Sequence, residues 1–181
     1  MTTTTDRIYG PQTAGVGRTV QDIGLCDLTG EYVYTAKSRT KGLLVVVFFS
    51  PESAPSVRAL QAVQAWTHGV PTQKWTALGI TDGDREQLAA FARERGIDGV
   101  SILVDHDLYQ TRTWGVSHLP SIYLISGKTG RVLMKTIGDR EGDLNAVKQR
   151  LSDEIGKIVA AEEAAKKAEE EKKAAEAAAK K

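Results

Sequence analysis

Leu43-Leu44-Val45-Val46-Val47-Phe48-Phe49-Ser50-Pro51-Glu52-Ser53-Ala54-Pro55-Ser56 is an unbroken apolar run that stops at a short polar turn. The run shows no alternation of apolar and polar positions. That pattern fits a central β-strand covered on both faces. From Ser56 onward the apolar residues Val57, Leu60, Val63 and Trp66 recur at helical spacing. Gly69 and Pro71 stop that helix. Ser53 falls where a helix N-cap belongs, and a capping serine stabilises a helix by about 1 kcal/mol. Capping is therefore its plain structural reading.

Downstream, Trp75–Thr81 reads as a second strand that ends at Asp82-Gly83. Asp84 is placed to cap a helix carrying Leu88, Phe91 and Ala92, with Gly96 at its end. Val100–Val104 is a short strand, and Leu108–Trp114 is a short helix closed by Gly115. Ser121–Ile125 and Arg131–Ile137 flank Gly127-Lys128-Thr129-Gly130, which predicts an antiparallel hairpin. A last helix starting at Gly142 or Asp143 carries Leu144, Val147, Leu151 and Ile155 on one face. Upstream, Gly17–Leu28 and Tyr32–Tyr34 flank Thr29-Gly30 as a smaller hairpin. Strands alternating with helices, followed by a hairpin and a helix, predict an α/β sandwich with a mixed central sheet.

Three zones follow: a Thr/Gly-rich flexible arm over 1–16, a domain over 17–158, and a charged tail over 159–181. From residue 160 the tail contains only Ala, Glu and Lys. Its Glu–Lys pairs at i,i+4 (Glu162–Lys166, Glu163–Lys167, Glu169–Lys173, Glu176–Lys180) favour a helix. With no Leu, Ile or Val from residue 160 onward it lacks a coiled-coil seam. As a semi-rigid helix it would extend roughly 33 Å.

The 181 residues carry 24 basic and 23 acidic side chains, a net charge of +1. That balance gives no case for nucleic acid or an anionic membrane. Cys26 is the single cysteine, so neither an intramolecular disulfide nor a cysteine-based zinc site can form. His68, His106 and His118 have no ligand spacing. Neither a metal nor a cofactor is expected. The polar N-terminus lacks the apolar segment of a signal peptide, and the longest apolar run is too short to span a bilayer. A cytoplasmic protein with no transmembrane segment is the expectation.

The ordered set of segments resembles the thioredoxin-like superfamily, most closely its TlpA/redoxin (AhpC/TSA-like) branch. The matching pieces are Val16-Gly17 with Asp27-Leu28-Thr29-Gly30, the strand Val46–Ser50, Asp105-His106-Asp107, Trp114-Gly115-Val116-Ser117-His118-Leu119-Pro120-Ser121, and Ile122–Ser126 with Gly130-Arg131-Val132. The match spans roughly residues 16–155. It implies a cis Leu119–Pro120 bond facing the strand–helix junction, and a Cys-x-x-Cys motif at Ser53-Ala54-Pro55-Ser56. Both of those cysteine positions are serine here. A hydroxyl supplies neither an attacking thiolate nor a resolving thiol. Glu52, at a position commonly Trp in the family, would oppose a thiolate even if cysteine were restored. Val47 stands where thioredoxins proper carry a buried Asp. In a peroxiredoxin register Ser56 replaces the peroxidatic cysteine.

The resemblance therefore implies a degenerate, redox-inactive site. The expected role is a protein-binding or accessory subunit, in a partnership or a larger complex. Its binding surface would be Glu52, Ser53, Ala54, Pro55 and Ser56 facing His118, Leu119 and Pro120. Two alternatives stand beside it. One is an oxidoreductase or peroxiredoxin-like protein relying on Cys26 or a partner's thiol. The other is a thiol-ligand binder of the glutathione-transferase kind, with the Ser53 hydroxyl toward the ligand. Ser53 with His118 as a hydrolytic pair is a weaker idea, because no orienting acid can be placed.

Overall fold

The computed structural model describes residues 14–179, with side chains described to 175. Most of the expected N-terminal arm thus lies outside the described residues. Its end does not: Ala14 is buried, and the Gly17 N–H donates to the Val132 carbonyl at 2.8 Å.

The strands are β1 (Gly24–Asp27), β2 (Tyr32–Tyr34), β3 (Leu43–Phe48), β4 (Trp75–Thr81), β5 (Ser101–Val104), β6 (Ser121–Ser126) and β7 (Val132–Ile137). The α-helices are α1 (Thr35–Ser38), α2 (Ala54–Gly69), α3 (Arg85–Glu94), α4 (Tyr109–Thr113) and α5 (Glu141–Ala179). One sheet of 7 strands runs in the order β2-β1-β5-β4-β3-β6-β7. β3, β4 and β5 are parallel, while β6, β7, β1 and β2 add antiparallel edges.

The β3 run behaves as its composition requires. Leu43, Val45, Val47 and the following Phe49 join one core with α2 and α5, through Leu60, Val63, Val147 and Leu151. Leu44, Val46 and Phe48 join the other core, with Leu78, Tyr123 and Trp114. Period-2 alternation thus feeds both layers, and every β3 residue is buried. In the second layer Trp114 lies 5.4 Å from both Phe48 and Tyr123, ring centre to ring centre.

Several expectations are refined. α2 begins at Ala54 rather than Ser56, because Pro55 fits the first helical turn, where its missing N–H costs nothing. The first hairpin is shorter than expected. Upstream of Gly24 the chain crosses to the far edge of the sheet, where Thr19 bridges Arg131. The last helix and the tail form one helix, Glu141–Ala179 of 39 residues. Within it Glu169 pairs with Lys173 at 2.6 Å, as spacing predicts. Glu162 instead accepts from Lys74 Nζ at 2.6 Å. The first part of α5 lies on the sheet and brings that turn within reach of the residue before β4, so tertiary contact displaces the local Glu162–Lys166 pair. Glu176–Lys180 lies outside the described side chains.

Tyr123 carries a testable consequence. It is fully buried, its hydroxyl has no protein partner, and burial pushes its pKa up to about 12. The folded state holds this proton more tightly than the unfolded chain. Its contribution is therefore complete below the ordinary value of 10 and is lost as pH rises toward about 12. By about pH 11 the expected loss is roughly 1.4 kcal/mol relative to neutral pH. Lys135, 5.0 Å over the Tyr123 ring, is pushed the opposite way: burial lowers its pKa, so stability is gained as it neutralises. Tyr123→Phe keeps the ring and removes the titration. Urea midpoints across alkaline pH should fall less steeply in that variant, and identical slopes would contradict the assignment.

Candidate functional site

β3 and β6 are antiparallel neighbours with Phe48 opposite Ser121. The segment leaving β3 toward α2 therefore lies beside the segment entering β6. That second segment, 117–121, is pinned at both ends. Ser121 Oγ donates to the His118 carbonyl at 2.7 Å, and the Gly138 N–H donates to the Pro120 carbonyl at 2.8 Å. The Leu119–Pro120 peptide is cis.

Ser53 is the N-cap residue of α2, with extended backbone angles, and is half-buried. Its side chain makes no capping hydrogen bond. The expected capping role is thus corrected: the position is right, but the hydroxyl is not used for it. The helix start is held instead by the backbone, with the Val57 N–H donating to the Ser53 carbonyl at 2.9 Å. Ser56, one turn on, is 0% exposed and its hydroxyl has no protein partner. A buried hydroxyl without a partner carries a desolvation cost of about 1–3 kcal/mol. Ala54 is exposed and Pro55 half-buried. His118 is exposed, with Nδ1 2.9 Å from Ser117 Oγ, so its hydrogen bond goes to its own loop.

A cleft of about 430 Å³ opens at this end of the sheet. Glu52 and Leu119 line it; the remaining residues expected at the binding surface do not. Its floor is apolar, with Phe49 stacked on Phe91 at 6.1 Å and with Leu88 and Leu108 beside them. Its rim is acidic: Glu52, Asp82 and Asp84. Asp84 Oδ1 accepts from the Glu86 and Gln87 N–H groups at 3.0 Å and caps α3, as its sequence position predicts. Asp82 Oδ1 accepts from the Gly83 N–H at 2.8 Å. Ala54 lines a separate, smaller cleft with Arg58 and Arg95.

Asp105 positions the far side. It is 1% exposed and accepts from the Gln110 N–H, the Thr111 N–H and Thr111 Oγ1 at 2.7–2.9 Å. This bonding holds the turn in which Asp107 and Leu108 adopt left-handed angles, φ 58° and 54°. Leu108 there costs of order 1 kcal/mol or more, offset by the Asp105 bonds. In the sequence, Leu108, Phe91 and the Asp82–Asp84 turn read as parts of the fold and not of a site. The available signal for Leu108 and the Asp82–Asp84 turn was their position beyond the carboxyl ends of the parallel strands β5 and β4, where α/β sheets place ligands.

Cys26 is elsewhere. It sits half-buried on β1, paired with Tyr32 and Val104. It does not line the cleft. Among the described residues no cluster of three or more His, Cys, Asp or Glu could hold a metal ion, and no helix is long and apolar enough to cross a membrane.

No family model matches the chain, and no curated protein matches its sequence. Solved structures do match its architecture. A candidate thiol:disulfide interchange protein, DsbE from Chlorobium tepidum, superposes with a TM-score of 0.69 at 18% identity, over 77% of this chain and 97% of that one. The chain has the thioredoxin-like fold. Peroxidoxin BcpB from Mycobacterium tuberculosis gives 0.66 at 18% identity, over 79% and 97%. A thiol-disulfide oxidoreductase from Bacteroides fragilis gives 0.62 at 19%, over 74% and 98%. At these identities the likeness is one of fold, and this thioredoxin-like chain carries Ser53 and Ser56 at the head of α2.

Proposed function

We propose that this thioredoxin-like domain performs no dithiol–disulfide exchange of its own and works as a protein-binding, accessory module. The observation carrying this reading is the state of the two serines. Ser56 is sealed from solvent, and neither its hydroxyl nor that of Ser53 forms a hydrogen bond with a base that could activate it. A serine hydroxyl is scarcely ionised near neutral pH and cannot store electrons as a disulfide. What the site offers is a concave surface: an apolar floor, an acidic rim and the exposed Leu119 at its edge. A surface of that kind supports recognition of a protein partner.

The purified full chain should reduce insulin with dithiothreitol no faster than buffer alone. A partner retained through native purification should be lost from a Leu119→Asp variant of unchanged urea midpoint. Robust insulin turnover would sink the reading, and so would full retention by that variant.

The named activities of the structural neighbours favour one other reading, an oxidoreductase or peroxidase using Cys26 or a partner's thiol. The place of Cys26 on β1, outside the cleft, weighs against it. Peroxide or disulfide turnover that vanishes in Cys26→Ala would establish it. Glutathione should give no heat of binding, which separates both readings from a glutathione-transferase-like binder.

A further inference from the structure

A second cleft, of about 570 Å³, opens at the other end of β3, where that strand begins and β6 ends. Its volume falls within the roughly 300–1,000 Å³ of small-molecule sites. One wall is sheet, with Leu43 and Leu133. The other is the far part of α5, with Ile158, Ala161 and Ala165. The short alanine side chains keep the space open between helix and sheet. The Lys74–Glu162 pair ties this stretch of α5 to the start of β4.

The charges around the cleft are unevenly matched. Its two acids are already engaged: Glu162 by Lys74, and Glu154 by Arg150 at 2.9 Å and Lys157 at 2.8 Å. Arg39 is paired with Asp22 at 2.8 Å. Lys41 and Lys128 also line the cleft, are exposed, and form no ion pair among the described residues. An apolar slot with two unmatched cations at its rim is complementary to a molecule with an apolar body and one anionic head.

We propose that this cleft binds a small amphiphilic anion, an aliphatic carboxylate, with its chain between β3–β7 and α5 and its head at Lys41 and Lys128. The Ala/Glu/Lys helix then supplies one wall of a ligand site, in addition to extending from the domain. This site is independent of the cleft at Glu52 and Leu119.

The test is calorimetric titration of the full chain with decanoate, kept below its micelle concentration. Saturable binding at one site is expected. Ala161→Trp fills the slot and should abolish it, with Ala165→Trp as a second filler should the first lower the urea midpoint. Lys41→Glu combined with Lys128→Glu should weaken decanoate by about tenfold, equivalent to about 1.4 kcal/mol. Decanol should bind more weakly than decanoate to the unaltered chain, and more tightly than decanoate to the double variant, where two carboxylates replace the two cations. Absence of saturable binding, binding that survives both tryptophan fillers, or equal affinity for decanol and decanoate in the unaltered chain would each overturn the proposal.

Discussion

Trp114→Ala should destabilise the domain by about 3–5 kcal/mol, the range for removing a large aromatic from a packed core. Trp114 is 1% exposed and stands at the centre of the second core layer. It meets Phe48 from the central strand and Tyr123 from β6, the latter edge to face at 86°. Such aromatic pairs contribute about 0.5–1.5 kcal/mol beyond burial. Its indole N–H also donates to the Gln21 carbonyl at 3.2 Å, joining the segment ahead of β1 to the same core. Alanine would leave a large cavity and remove the partner of that carbonyl. Domains of this size are stable by only about 5–15 kcal/mol, so the loss is a large fraction of the whole. The urea midpoint should fall sharply, and Trp114→Phe should recover part of the loss. A drop under about 1 kcal/mol would show that the layer is not organised around this residue.

Cysteines placed at both serine positions should form a reversible dithiol. In Ser53→Cys/Ser56→Cys the new thiols lie three residues apart at a helix start, a Cα separation of about 5 Å that suits a disulfide. The buried position 56 should accept a thiol readily, since its hydroxyl has no protein partner and sulfur requires none. Thiol counting in denaturant should give one thiol for the unaltered chain, from Cys26, and one for the oxidised double variant, with the two introduced thiols appearing only on reduction. The helix N-terminus favours a thiolate at position 53, while the Glu52 carboxylate opposes it. Glu52→Gln in that background should therefore speed alkylation several-fold near neutral pH. A double variant that stays fully reduced under oxidant would mean that the junction lacks dithiol geometry.

Much of the fold was legible in residues 43–56. An apolar run without alternation can only be satisfied by cover on both faces, and a strand so covered calls for helices and a parallel neighbour. β4 falls on Trp75–Thr81 as expected, and Asp84 caps α3 as expected. The site was legible in part. Ser53 at the helix start follows from local order along the chain, whereas Glu52 and Leu119 follow from the resemblance. The acidic turn at Asp82–Asp84, the floor at Phe91 and the left-handed Leu108 do not, because each belongs to a different part of the chain beyond β3. Only the packing of β3 beside β4 and β6 brings them to one end of the sheet.

The sequence by itself determined the chemistry at positions 53 and 56, since no fold can turn a hydroxyl into a thiol. It also determined the central strand, through burial that a single residue pattern enforces. Tertiary structure alone decided what those serines face. It sealed the Ser56 side chain from solvent, turned His118 onto its own loop and left Ser53 without a capping bond. It also decided the fate of the tail. Spacing along the helix pairs Glu162 with Lys166, yet the packing of α5 on the sheet presents Lys74 to Glu162 and opens a cleft beside Ala161. The reason is physical: i,i+4 pairs on an exposed helix are worth only a few tenths of a kcal/mol, so a cation fixed by the sheet readily outcompetes one on the helix itself.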